Sequence, residues 1–169
     1  MDSNKTPRLG IDIGRVIIDG SSHPDGGDTA FFQGDEAVML RTPEMDGAFD
    51  AIRQLVDVFD GNVWLVSKCG TRVQERTSRW LEHHQFPERT GVALDNRRYC
   101  RERSQKRGIC AELEITHFVD DHPDVHRAIR GVVAHQYLFG PQRHEIPDYV
   151  EWTQSWADVL TAIGTAASV

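Results

Sequence analysis

Three short apolar runs each end in a side chain suited to a cation or a phosphoryl group. Leu9-Gly10-Ile11-Asp12-Ile13 carries a carboxylate near its C-terminal end and stops at Gly14. Asn62-Val63-Trp64-Leu65-Val66 leads into Ser67-Lys68, and His117-Phe118-Val119 leads into Asp120-Asp121. Lys106 precedes the last run by the length of a short helix. Together these residues supply carboxylates for a hard cation, a hydroxyl and an ammonium for phosphoryl oxygens, and an anionic nucleophile. Such a nucleophile reaches a phosphate dianion only when cations screen the repulsion. Singly, each residue has a plainer use. Asp12 before Gly14 suits a strand-to-turn junction, and Ser67 suits a helix cap. Lys106 suits a solvated charge, and Asp120-Asp121 before His122-Pro123 suits a helix N-terminus. Their joint order carries the argument.

The elements that would position them alternate. The runs read as buried strands, the first over Leu9–Ile13 and a second short one over Val16–Ile18. Residues 20–40 are rich in Gly, Ser, Asp and His and read as a long loop, expected to act as a flap over 19–42. From Pro43 to Phe59 the residues Met45, Phe49, Ile52, Leu55, Val56 and Phe59 recur at helical spacing. A helix capped by Thr71 is expected over 71–85, irregular chain over 86–104, and a helix over Ser104–Leu113. Pro123 opens another helix to Arg130, Val132-Val133-Ala134 begins a strand, and Trp152, Trp156, Val159 and Leu160 mark a closing helix. This alternation predicts an α/β fold of three layers, a mostly parallel sheet with helices on both faces. Ligands of such a sheet gather beyond the carboxyl ends of its strands, where Asp12, Ser67 and Asp120-Asp121 fall.

Composition bounds the rest. The chain has 169 residues, 39% apolar and 27% charged, which predicts one domain over 1–169 with a flexible leader at 1–7. Its 26 acidic against 19 basic side chains give a net charge of −7, which disfavours free nucleic acid as a partner. Against that balance, Arg97, Arg98, Arg101, Arg103, Lys106 and Arg107 place six cations within 11 residues, able to attract an anion but also usual for a solvated surface. Three unclustered cysteines, with no CxxC pair, point to a reducing cytoplasm. Nowhere do about 18 apolar residues run together, so a membrane span is not expected. His122 and His126, four apart, could share a metal, though a helix surface is their plainer setting.

In the order and spacing of Asp12-Ile13-Gly14-Arg15-Val16, Val63-Trp64-Leu65-Val66-Ser67, Lys106 and Phe118-Val119-Asp120-Asp121-His122-Pro123-Asp124, the sequence resembles the haloacid dehalogenase superfamily, from Leu9 to about Val159. The last motif, with Ser155-Trp156, looks most like its 5′(3′)-deoxyribonucleotidase branch. The resemblance implies a Rossmann-like fold with a minimal cap and a phosphohydrolase or phosphotransferase acting on a small phosphorylated metabolite, a nucleotide among the candidates. It implies Asp12 as nucleophile through an aspartyl-phosphate, and Ser67 and Lys106 on the phosphoryl oxygens, with Lys68 and Arg15 as further substrate contacts. It implies Mg2+ held by Asp12, the Gly14 carbonyl and Asp121, with Asp120 nearby. Family phosphatases carry a second Asp, an acid and base, where this chain has Gly14. The loss of general acid–base help, worth roughly 10²–10⁴-fold, would slow alkyl phosphates most. Asp19, His23 or the substrate would have to supply the proton. The same glycine supports a second reading, a binding or regulatory protein that keeps the fold without efficient chemistry. Gly10-Ile11-Asp12-Ile13-Gly14 also resembles the first phosphate loop of sugar kinases, which need a second large domain. It resembles as well the opening strand of ribonuclease-H-like nucleases, which need three antiparallel strands early in the chain.

Overall fold

The computed structural model describes residues 5–167. Of the leader expected over 1–7, residues 1–4 lie outside the described residues, and Lys5, Thr6 and Pro7 are exposed. Six strands form one sheet: β1 (Leu9–Ile11), β2 (Val63–Lys68), β3 (Arg97–Cys100), β4 (His117–Asp120), β5 (His135–Phe139) and β6 (Glu151–Thr153). Their order is β3-β2-β1-β4-β5-β6, and every neighbouring pair is parallel. The early antiparallel strands that a ribonuclease-H-like reading requires are not formed among the described residues.

Alternation along each strand divides the core. Val63 and Leu65 of β2, Val119 of β4, and Tyr137 and Phe139 of β5 face one layer. That layer holds α3 (Ala48–Val58), α4 (Thr71–His83), α5 (Phe86–Thr90) and α8 (Trp156–Ala167). Trp64, Val66 and Phe118 face the other, which holds α6 (Lys106–Glu112) and α7 (Pro123–Ile129). With both faces covered, the central strands β1 and β2 are short and largely apolar. Trp80, Phe49, Phe86 and Trp156 are fully buried, and each such side chain contributes about 1.5–3 kcal/mol by leaving water. Gly10 is required on β1, because a Cβ there would lie 2.6 Å from the Phe118 ring.

Several expected elements are redrawn. Val16–Ile18 is not a strand: the Ile13 carbonyl accepts from the amides of Val16, Ile17 and Ile18, winding a buried turn, and Arg15 takes φ 63°. The 19–42 excursion is largely helical, with a 3-10 turn at Gly20–Ser22, α1 (Asp28–Gln33) and α2 (Glu36–Leu40). Helix α3 begins five residues after Pro43, because Gly47 sits at φ 73° and the Glu44 carboxylate accepts from the Phe49 amide at 3.0 Å. Gly70, not Thr71, caps α4; the Thr71 hydroxyl accepts from Arg101. Residues 86–104, expected irregular, hold α5 and β3. Val132-Val133-Ala134 lies in the turn before β5, and Trp152 belongs to β6, 42% exposed, rather than to the closing helix.

Candidate active site

β1 occupies the middle of the sheet, between β2 and β4, so the carboxyl ends of three adjacent strands converge where the strand order reverses. Asp12 follows β1 directly, its amide donating to the Val119 carbonyl at 3.0 Å and extending the ladder with β4. Ser67 lies near the end of β2, Asp120 ends β4, and Asp121 is the next residue. Lys106 opens α6 and inserts its chain beneath this edge. Its Nζ donates to Asp12 Oδ1 at 3.0 Å and to Asp120 Oδ2 at 2.8 Å, with only 2% of the residue exposed.

Electrostatics at this floor are unbalanced. Carboxylate oxygens of Asp12, Asp120 and Asp121 all lie within 4.8 Å of one another, against one ammonium. Burial and the neighbouring Asp120 charge hold the Asp12 carboxyl above its ordinary range, outweighing the pull of Lys106. Burial and the charges of Asp12 and Asp120 push Asp121 up as well. Burial alone would lower the Lys106 ammonium, but the two carboxylates outweigh it and hold it above its ordinary range. Three oxygen donors with surplus negative charge form a donor set that fits a hard divalent cation. Asp120 is the most committed of the three, since its other oxygen accepts from the His122 amide at 2.9 Å and its carbonyl accepts from the buried His126 ring at 2.9 Å.

All eight residues singled out for the site line one cavity of about 420 Å³: Asp12, Gly14, Arg15, Ser67, Lys68, Lys106, Asp120 and Asp121. Arg15 is engaged there with Asp28 of α1 at 2.7 Å, at an exposed position. Gly14 leaves open space where a Cβ would stand. Neither Asp19 nor His23, the two side chains expected as proton donors, lines the cavity. Asp19 accepts from the hydroxyls of Ser21 and Ser22, and His23 is buried against the Val38 carbonyl and the Asp25 amide. His122 and His126 do not pair on a metal: His122 caps α7, and the His126 ring lies between the Asp120 carbonyl and Gln136.

Sequence reasoning missed the roof of the cavity. Phe31 and Phe32 of α1, Val73 and Thr77 of α4, and Arg103 also line it. The flap is pinned from below by Arg76, a buried guanidinium on α4 that donates to the Phe31 carbonyl at 2.9 and 2.7 Å and to the Gly34 carbonyl at 2.6 Å. An arginine among apolar residues at helical spacing was the available signal, but its partners are backbone atoms and left no mark in the sequence.

No family model matches the chain, and no curated protein matches it by sequence. Among solved structures it is similar to a haloacid dehalogenase-like family hydrolase from Xanthomonas campestris, with 11% identity, 97% of each chain covered and a TM-score of 0.65. It is similar also to a haloacid dehalogenase-superfamily hydrolase from Ehrlichia chaffeensis, with 12% identity, 96% of this chain and 98% of that one covered, and a TM-score of 0.63. The likeness is one of fold: the expected three-layer arrangement of a haloacid dehalogenase-like domain is the one formed.

Proposed function

We propose that this chain is a magnesium-dependent phosphohydrolase or phosphotransferase of the haloacid dehalogenase type, acting through an aspartyl-phosphate on a small phosphorylated metabolite, a nucleotide among the candidates. The observation that carries this reading is the Lys106 ammonium held between the buried carboxylates of Asp12 and Asp120, with Asp121 within 4.8 Å of both. Asp12 is the nucleophile: a carboxylate oxygen bonds to phosphorus as the ester oxygen departs, and water then hydrolyses the acyl phosphate and restores Asp12. Lys106 screens the dianion from Asp12 and, with the Ser67 hydroxyl, holds phosphoryl oxygens, while Lys68 and Arg15 border the entrance. Asp12, Asp121 and the Gly14 carbonyl would hold Mg2+, with Asp120 beside them, and the ion would supply the charge neutralisation that one ammonium leaves incomplete. We place the protein in the cytoplasm, where its three free cysteines are at home. Among the described residues no helix is long and apolar enough to cross a membrane.

Gly14 shapes the selectivity. With no side chain there to protonate the departing oxygen, leaving groups that are stable as anions are favoured, so acetyl and aryl phosphates are turned over faster than alkyl esters. The test is Mg2+-dependent phosphate release from p-nitrophenyl phosphate, acetyl phosphate, nucleoside monophosphates and sugar phosphates, run beside Asp12→Asn. Release that vanishes in the variant is expected; release that persists in it overturns the assignment. Silence on every substrate with retained phosphate binding would favour the second reading, a phosphate-binding or regulatory protein, which the open space at Gly14 supports.

A further inference from the structure

We infer that the preferred ligand carries a second anionic group, a phosphoryl or a carboxylate, seated in a basic recess beside the catalytic cavity. This rests on the phosphohydrolase reading for the first anion and extends it to the rest of the molecule bound. The recess encloses about 450 Å³ and is lined by Lys68, Arg101, Glu102, Arg103, Ser104 and Asp124. Lys68 and Arg103 line the catalytic cavity as well, so the two spaces share a rim.

The charges on this rim are not used up by the protein. Asp124 is engaged by Arg127 at 3.2 Å, and the Glu102 side chain accepts the Gln105 amide in a capping box. Arg101 donates to a neutral partner, the Thr71 hydroxyl. Among the described residues, neither Lys68 nor Arg103 has a carboxylate within 4.0 Å. Arg15, the remaining cation at the mouth, is already matched by Asp28. Three cations thus face the recess with one carboxylate claimed elsewhere and the other turned to a backbone amide. The backbone ties this arrangement to the catalytic floor: Ser67 immediately precedes Lys68 on β2, and Arg101 and Arg103 lie on the short segment between β3 and Lys106. An arginine that forks onto carboxylate or phosphate oxygens is the suited partner for such a group. Because the recess is open to water, its contribution is modest, about tenfold in affinity or 1.4 kcal/mol.

The test is calorimetric and needs no turnover. Alkane-α,ω-bisphosphonates of two to six carbons are titrated into the protein in Mg2+ beside the alkyl monophosphonates of equal length. For at least one length the bisphosphonate is expected to bind about tenfold tighter, and Arg103→Gln to reduce that advantage to about twofold or less. Arg101→Gln, with folding confirmed by its melting temperature, is expected to act in the same direction. Equal affinities for mono- and bisphosphonates at every length would overturn the proposal, as would an advantage that survives both variants. Two independent inorganic phosphates binding with no gain from linking them would overturn it too, showing a site for a free anion. Phosphate release without a bisphosphonate advantage would refute this inference and leave the phosphohydrolase reading intact. The advantage without any phosphate release would do the reverse.

Discussion

At the scale of single residues, the proposed site is shaped by one glycine as much as by its carboxylates. Gly14 borders the cavity, has no left-handed backbone conformation, and leaves room for a side chain. Gly14→Asp is therefore expected to fold normally and to raise turnover of alkyl phosphates by roughly 10²–10⁴-fold, with little effect on acetyl phosphate. Steady-state rates on the two substrate classes check this, and equal gains on both would show that proton donation was not what the glycine withheld. That the eight candidate residues gather at one cavity was legible in the sequence, because a parallel sheet brings the ends of its central strands together whatever the loops do. Phe31, Phe32 and Thr77 were not legible, since their places depend on how the flap and α4 pack over that edge, whereas Arg103 was visible only as one of a basic run.

Among elements, the long regular ones were readable and the short ones were not. The apolar face of α3 and the runs of β2 and β4 carry strong periodicity. Helices α1 and α2 have six and five residues, too few for a period to show, and are bounded by Gly27 and Gly34 and by Asp35. Strand β3 lies at the sheet edge and contains Arg97 and Arg98, which made it resemble a charged loop. Trp152 and Trp156 stand four apart yet occupy different elements, a strand and a helix. The joint between flap and body is Arg76. Arg76→Met removes charged donors from two carbonyls, each such bond being worth about 1.5–3 kcal/mol. Amide exchange across residues 28–34 is expected to accelerate by at least about tenfold while α3 keeps its protection. The Michaelis constant should rise with kcat little changed. Unaltered exchange would show that apolar packing alone holds the flap.

For the whole molecule, two buried histidines supply a source of acid sensitivity separate from the net charge of −7. His117 lies in the sheet with its ring stacked on His135 at 4.3 Å, and its Nε2 is buried without a hydrogen-bond partner. Burial, reinforced by the His135 charge, lowers its pKa to about 4; burial, aided by the Lys106 charge, lowers His126 to a similar value against the opposing pull of the Asp120 and Tyr137 backbone. Between pH 6.5 and 4 the unfolded chain binds protons that the native one refuses, so stability falls as the pH drops through this window. At pH 5 each ring costs about 2 kcal/mol relative to neutral pH. His117→Phe is expected to be at least as stable as the parent at pH 7, because it removes an unpartnered polar atom, and to lose about 2 kcal/mol less on going to pH 5. Urea unfolding at the two pH values measures this, and parallel losses in both proteins would exclude His117 as the source.

The strand that leads into Asp12 is made long before one of its two neighbours. Leu9 pairs with Val63 on one side and with His117 on the other, so the sequence distance across the second pairing exceeds one hundred residues. A ribosome adding about 5–20 residues per second leaves this apolar segment without its second neighbour for several seconds after it emerges. Loop closure of that span must also precede any reward from the pairing, which slows folding and lengthens exposure of a sticky segment. The central position that gathers these side chains at one edge thus makes the nascent chain dependent on later synthesis, and a chain stopped before β4 would carry Asp12 at the end of a strand with one open side.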